Sequence, residues 1–366
     1  MATKMLNRSF QEAKKLREDE FYTQLPDIER ELRHYKKHFK GKVVYLNCDD
    51  PRVSNFFHYF SYNFEKLGLK KVIATCYKSQ NADLFSQNDS EQAIYLKYEG
   101  DKNNNSVPDP EEIGIKPLKE DGDFRSAENI ELLKQADIVV TNPPFSLFRE
   151  YLAQLMKYDK KFLIVGNQNA ISYKDVFPLI KSNKVWLGYH NGDMKFRVPD
   201  YYPPRETRFW IDEEGNKWRS LGNACWFTNL DISKRHEDLI LYKQYDPAID
   251  PSYDNFDGIE VSKTVDIPAD FDGGMGVPVT FLGKHNPDQF EIVGITRAWS
   301  GDAAKVYPQQ TQINPNGQRS TVTKLNDSAA LKIDVPPTGK TYYEVDGELF
   351  VKAYARILIR RKAAAR

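Results

Sequence analysis

A doubly wound α/β sheet followed by a C-terminal domain that is α+β or mostly β is the fold that this 366-residue chain predicts. Three observations predict it. From Val43 to Gly166, short apolar runs alternate with stretches of helical length, which is the pattern of successive βαβ units in a parallel sheet. One of those runs, Ala136 to Val140, leads into Thr141-Asn142-Pro143-Pro144-Phe145-Ser146, where two prolines forbid strand or helix to continue. Past residue 190 aromatics, Pro and Gly become dense, and from about Asp231 short β-like runs are separated by Pro, Gly and Asn.

The chain therefore divides into an N-terminal helical arm (1–40), a sheet domain (41–230) with an excursion at 190–223, and a C-terminal domain (231–366). In the arm, residues 9–18 and 27–40 read as helices, with Asp27 as N-cap and Gly41 as the stop. Val43 to Leu46 is a first strand, Ser54 to Leu67 a helix closed by Gly68, and Lys71 to Thr75 a second strand. Residues 80–90 are polar and loop-like, Ala93 to Tyr98 is a further strand, and Asp101 to Glu112 an exposed excursion. Ser126 opens a helix that leads to the Asp137 to Val140 strand. A helix from Leu147 to Tyr158 and a strand from Lys161 to Gly166 follow. Asp175 to Lys181 reads as a helix, Lys184 to Tyr189 as a strand, and Phe209 to Trp218 as a hairpin around Glu214-Gly215-Asn216. Ala224 to Thr228 is the last run that fits the sheet.

Composition narrows the class without naming a partner. No apolar run is long enough to span a membrane and no secretory signal opens the chain, so a cytoplasmic protein without membrane contact is expected. Three widely spaced cysteines, Cys48, Cys76 and Cys225, argue against a disulfide framework and a zinc cluster. The six histidines lack ligand spacing; His34 and His38, the sole i, i+4 pair, lie on a charged helix and read as solvated, so no metal is expected. Fifty-two basic and 52 acidic residues give zero net charge. Basic residues nevertheless collect in the first forty positions and after Glu348, at Lys352, Arg356, Arg360, Arg361, Lys362 and Arg366. That end reads as a solvated tail, or as phosphate contacts if the ligand is DNA.

Four stretches carry the chemistry. Asn142 to Phe145 follows a buried strand at its carboxyl end, where open α/β sheets bind ligands. An amide oxygen and a proline carbonyl can accept the two N–H bonds of a planar amine while an aromatic face holds the ring, which suits amino methylation of a flat nitrogen base. Asn47-Cys48-Asp49-Asp50-Pro51-Arg52-Val53-Ser54-Asn55-Phe56 sets carboxylates at the first strand end, suited to the amino and hydroxyl groups of a nucleoside cofactor. Its lack of a glycine-rich loop disfavours dinucleotides and P-loop nucleotides. Asp121-Gly122-Asp123-Phe124-Arg125-Ser126 pairs an acid with an aromatic, and Phe21-Tyr22-Thr23 places an aromatic and a hydroxyl between helices.

In their order along the chain, together with Asp19-Glu20 before Phe21 and the later run Gly274-Met275-Gly276-Val277-Pro278 through Gly294, these stretches resemble the EcoRI-type adenine-specific DNA methyltransferases. The resemblance covers roughly residues 10–295. It implies a Rossmann-like catalytic sheet, a target-recognition domain at 231–366, S-adenosylmethionine as methyl donor and N6 of adenine in double-stranded DNA as acceptor. Carried over by motif, Phe21, Tyr22 and Thr23 border the methionine part of the donor, Asp49, Asp50 and Pro51 line its pocket, and Asp123 and Phe124 hold its adenine. Asn142, Pro143, Pro144 and Phe145 hold the target base. GAATTC is a candidate target, and a cognate restriction endonuclease sharing that site is a partner the family allows, without physical contact implied. The first strand leads into Asp-Asp-Pro-Arg-Val where the wider methyltransferase pattern has a glycine-rich turn. Two rival readings stay open: an RNA or protein-glutamine methyltransferase with the same turn, and a catalytically silent DNA-binding relative.

Overall fold

The computed structural model describes residues 21–49, 54–77, 93–105, 108–109 and 112–362. These fall into two units. The first holds the described residues up to Ala170 together with Val185–Ile232, and the second holds Ile171–Lys184 and the described residues from Ser233 onward. Ile171–Lys184, which the sequence places inside the 41–230 segment, thus belongs with the second unit.

The first unit is built on ten strands: β1 (Tyr22–Thr23), β2 (Val43–Cys48), β3 (Lys71–Cys76), β4 (Ile94–Tyr98), β5 (Gly114–Pro117), β6 (Ile138–Thr141), β7 (Lys161–Asn167), β8 (Trp186–Arg197), β9 (Phe209–Ile211) and β10 (Lys217–Thr228). Their order is β1-β8-β10-β7-β6-β2-β3-β4-β5, with β9 on β10. Neighbours within β7-β6-β2-β3 are parallel, and all other pairs are antiparallel. Parallel strands are covered on both faces, so they need near-continuous apolar runs. Val43–Leu46, Ile138–Val140 and Phe162–Val165 supply them and are buried throughout.

Helices interrupt the strands close to the expected places, with local corrections. The segment expected as one helix over 27–40 is two, α1 (Leu25–Leu32) and α2 (Lys36–Phe39). Gln24 holds the N-cap position in place of Asp27, because Pro26 fits the first turn, where no N–H partner is needed. The helix expected over residues 54–67 also divides, into α3 (Asn55–Tyr62) and α4 (Phe64–Leu67). The Asn63 amide donates to the Tyr59 carbonyl at the break, and Gly68 closes α4 with φ +62°. Ser126 caps α5 (Ala127–Gln135) by accepting from the Asn129 amide at 3.3 Å. After Pro143-Pro144 a 3₁₀ turn, Phe145–Leu147, feeds α6 (Phe148–Lys157). The 9–18 and 80–90 segments lie outside the described residues.

The excursion at 190–223 is largely strand. β8 and β10 each run for 12 residues, and Trp218 to Leu221 of β10 pair with β8 well beyond the stretch that pairs with β7. The Glu-Gly-Asn hairpin is present, with Ile211 opposite Lys217 and Gly215 at φ +86°.

The second unit contains α7 (Phe177–Lys181) and two sheets. One has the order β11 (Ile259–Glu260), β12 (Met275–Pro278), β19 (Arg356–Arg361), β13 (Phe290–Ile295). The other joins β14 (Gln310–Ile313), β15 (Arg319–Val322), β16 (Ala330–Ile333), β17 (Tyr342–Val345) and β18 (Glu348–Lys352). This overturns the reading of the basic end as a solvated tail. β19 is an interior strand whose Ile357, Leu358 and Ile359 are buried, and its Arg356 is bidentate on buried Glu260. No helix among the described residues is long and apolar enough to cross a membrane, and no group of three metal-ligating side chains is gathered among them.

Candidate active site

β6 delivers Asn142 to the carboxyl end of the parallel strands, and the two prolines hold it there. Asn142 is only 6% exposed. Its Nδ2 donates to the main-chain carbonyl of Phe21, and because a carbonyl can only accept, that bond fixes which way the amide faces. Oδ1 is left buried without a partner. An unmet buried acceptor costs about 1–3 kcal/mol, which a site retains when a ligand is to satisfy it. Phe145, 9% exposed, lies with its ring 5.3 Å from that of Phe21, and the Phe21 ring also meets Phe196 and Tyr202. Tyr22 and Thr23 are anchored as β1 opposite Arg197 and Phe196. Thr23 gives its carbonyl to the Asn55 amide at 2.9 Å and buries its own Oγ1 without a partner.

The end of β2 meets the same place. The Thr141 hydroxyl donates to the Asn47 carbonyl, and the Tyr151 hydroxyl from α6 donates to Asn47 Oδ1. At Cys48 the chain takes φ +95°, a region that residues other than glycine seldom enter. The turn for which the sequence offers no glycine is therefore made by a cysteine. Beyond it lies a pocket lined by Asn47, Asp49, Ser54, Phe57, Ala74 and Thr141. Ser54 Oγ lies 3.4 Å from Asp49 Oδ2. Asp50 and Pro51 lie outside the described residues.

Asp123 and Phe124 are brought to the end of β3. Gly122, at φ +78°, passes so close to it that a Cβ there would stand 2.1 Å from the Cys76 carbonyl oxygen, so only glycine fits. The Asp123 carboxylate is held by Arg125 at 2.8 and 2.6 Å, and Arg125 continues to Glu150 at 2.7 Å. Phe124 packs edge-on against Tyr151 with centroids 5.1 Å apart, and its carbonyl accepts from Gln154 at 2.8 Å. The Asn129 side chain ties the Asp123 carbonyl to the Tyr45 hydroxyl, at 2.9 Å on each side. Burial raises the pKa of both Tyr45 and Tyr151, so both phenols stay protonated and able to donate.

All four sequence motifs are thus linked by contacts: Phe124 to Tyr151, Tyr151 to Asn47, Asn47 to Thr141, Asn142 to Phe21, and Phe21 to Phe145. Sequence reasoning missed Tyr151, Tyr45 and Asn129 as parts of this framework. Their one sequence signal is a polar atom inside an otherwise apolar strand or helix face.

The model of the family described as adenine-specific methyltransferase EcoRI matches residues 9–362. The chain belongs to this family. The chain is 53% identical over 297 residues to the type II methyltransferase M.EcoRI of Escherichia coli, covering 80% of this chain and 90% of that protein. It is 40% identical over 293 residues to the type II methyltransferase M.MgeORF184P of Mycoplasma genitalium, with 78% and 85% covered. For M.MpnI of Mycoplasma pneumoniae the identity is 38% over 290 residues, with 78% and 84% covered. No solved structure gives a significant match.

In this EcoRI-type chain one buried carboxylate stands apart from the motifs. Glu31 of α1 is fully buried and accepts from Tyr35, from the amides of Tyr189 and His190, and from His190 Nδ1, at 2.6 to 2.9 Å. With four donors it is a closed structural bond set joining α1 to β8. The expectation that His34 and His38 are solvated is corrected at the same surface. The His34 ring stacks on Tyr189 at 3.5 Å, and His38 Nε2 lies 2.6 Å from the Asp231 carbonyl.

Proposed function

We propose that this enzyme transfers a methyl group from S-adenosylmethionine to N6 of an adenine turned out of double-stranded DNA. The observation that carries the reading is the buried, unpartnered Oδ1 of Asn142, aimed by the Phe21 carbonyl and lying at the carboxyl end of β6. The strand order supports a doubly wound, Rossmann-like sheet. β2 has β3 on one side and β6 then β7 on the other, so the chain leaves the centre in both directions, and ligands bind where it does so. The segments 1–40, 41–230 and 231–366 then serve as N-terminal arm, catalytic domain and target-recognition domain. We place the enzyme in the cytoplasm, with a restriction endonuclease of the same target site as its counterpart.

The donor fits the residues present. The pocket beside Asp49 and Ser54 offers acceptors for amino and hydroxyl groups, and Phe124 an apolar ring close by. Asp49, with Asp50 and Pro51 by motif, lines this pocket, Asp123 and Phe124 hold the donor's adenine, and Phe21, Tyr22 and Thr23 border its methionine part. When bound, the donor supplies an electrophilic methyl on a sulfonium sulfur. The protein holds the acceptor. Asn142 Oδ1 accepts one N6–H and the Pro143 carbonyl the other, drawing both out of the base plane as nitrogen becomes tetrahedral and positively charged. Phe145 stacks on the base and Pro144 keeps the turn rigid. Flipping the base costs roughly a few kcal/mol, which stacking and these bonds offset. Because the Phe21 ring covers Phe145 here, a base that stacks on that face displaces Phe21.

Labelled methyl transfer from S-adenosylmethionine to duplex DNA, RNA and protein, measured separately, tests the reading. N6-methyladenine in duplex DNA is expected. Label found on RNA or on protein glutamine alone overturns it.

A further inference from the structure

Where β13 ends, the second unit builds a turn tied by its own hydrogen bonds. The Ile295 amide donates to Asp302 Oδ2 at 3.0 Å, Ser300 Oγ donates to the Ile295 carbonyl at 3.0 Å, and the Asp302 amide donates back to Ser300 Oγ at 3.1 Å. Gly301 closes the turn at φ +75°, and a Cβ on Gly294 would stand 2.6 Å from Asp302 Oδ2. The turn carries partly exposed groups, although the Trp299 ring also packs edge-on against buried Phe177 at 6.1 Å. Ala298 is exposed, Trp299 is 36% exposed, and the half-buried Arg297 makes no ion pair among the described residues.

Two lysines share the surface. The 3₁₀ helix Ala298–Ser300 packs against the 3₁₀ helix Lys324–Asp327. Lys324 bonds only to the neutral Gln312, at 3.1 Å. Lys352, at the end of β18, pairs with Ala330, three residues beyond Asp327, and makes no ion pair among the described residues. Arg297 and Lys352 thus feel the same exposed acid, Asp327, which shares a 3₁₀ helix with Lys324, and Lys352 feels both other cations, in a chain whose overall charge is zero. Burial lowers the pKa of both Arg297 and Lys352, the expected penalty for half-buried cations without a close counter-ion. A closed scaffold would pair such charges.

We propose that Arg297 and Lys352, with Lys324 and the Trp299 turn, form a phosphate-binding surface that grips the backbone of duplex DNA. The proposal rests on the reading of DNA as substrate. Cations held on several rigid segments match a row of phosphates, and contacts of that kind set register without reading sequence. An aromatic side chain among them suits the sugar edge of a groove.

The test compares full-length wild type with Arg297→Met, Lys352→Met, the double variant, and Lys340→Met as an exposed control in the same unit. Binding to a target duplex is measured between about 50 and 200 mM salt. Each site variant should lower the log–log salt slope by about one and weaken binding roughly eightfold near 0.1 M, while the control does neither. Thermal stability of Arg297→Met should hold or rise, since a desolvated, unpaired charge is removed; a purely structural role predicts a fall. An unchanged slope in the double variant overturns the proposal while leaving DNA methylation intact. If inorganic phosphate stabilises wild type but not the double variant and the slope is unchanged, the site takes a free anion and the DNA role is overturned. Wild type that transfers no methyl to DNA removes both readings.

Discussion

Tyr253, Glu260 and Arg356 in the second unit and Asn142, Phe21 and Phe145 in the first are both buried clusters with polar members, and they end differently. Glu260 takes Tyr253 at 2.5 Å and Arg356 in a bidentate pair, and nearby Asn255 both donates to the Ser328 carbonyl and accepts from the Ala330 amide. Every strong group there is matched. Around Asn142 the donor is matched and the acceptor is not, and Thr23 close by also leaves a hydroxyl unmet. Closed networks specify a fold, whereas an open bond in a dry place keeps an atom ready for a partner from outside. The second unit has its own open hydroxyl at Ser328, beside Asp327 and the surface that we assign to phosphate.

The largest effect should come from opening the closed cluster. Arg356→Met leaves Glu260 as an uncompensated buried charge and should destabilise the second unit by about 3–5 kcal/mol in chemical denaturation. The first unit's chemistry should survive, so single-turnover transfer per folded molecule is expected to stay near wild type. A drop in that rate would show that the two clusters are not separable. Truncation after Val351 is a poor probe of the basic end for the same reason: it removes β19 from the middle of a sheet.

Next in size is the open cluster. Asn142→Ala should slow single-turnover transfer about a hundred- to thousandfold, roughly 2.7–4 kcal/mol, because the lost bond strengthens only as N6 becomes tetrahedral. Melting temperature and donor affinity should change little. Near-wild-type turnover by a folded Asn142→Ala protein would remove the catalytic assignment.

What could be read from the chain follows from the range of each interaction. β2, β6 and β7 are legible because strands buried on both faces must be apolar throughout, and the Asn142 turn because proline forbids the alternatives. The split of the 27–40 and 54–67 helices is not legible, since it is made by single local bonds, such as the Asn63 amide on the Tyr59 carbonyl, that no periodicity marks. The bonds that make the site are long-range: Asn142 to Phe21 spans 121 positions and Tyr151 to Asn47 spans 104. The basic end was open to a better reading. Ile357-Leu358-Ile359 marks a buried strand, and a count of charges passes over it.

A pH series sharpens the comparison from the closed side. His285 is buried with Nε2 3.0 Å from the Phe290 carbonyl, and burial brings its pKa down to about 4. The unfolded chain takes up this proton near pH 6.5 and the folded chain only near 4, so stability falls as pH drops through that window. At about 1.36 kcal/mol per pH unit the difference reaches about 3 kcal/mol. His285→Gln keeps an N–H donor and does not titrate. Urea melts at pH 7 and pH 4 should show wild type losing about that much more stability than the variant; parallel losses would mean that His285 does not drive acid unfolding.

The smallest effect concerns the joint between the two halves of the first unit's site. Tyr151 donates to Asn47 Oδ1 while its ring supports Phe124, so Tyr151→Phe removes the bond and keeps the packing. Asn47 is then left with a buried, unmet acceptor, which should cost about 1–3 kcal/mol of stability. Asn47 also lines the pocket beside Asp49, so donor affinity measured by calorimetry should fall severalfold. Adding Asn47→Ala removes the orphaned acceptor, and the double variant should be more stable than the two single losses added together. If stability falls while donor affinity holds, Tyr151 is scaffold, and the open part of the site begins at Asn142.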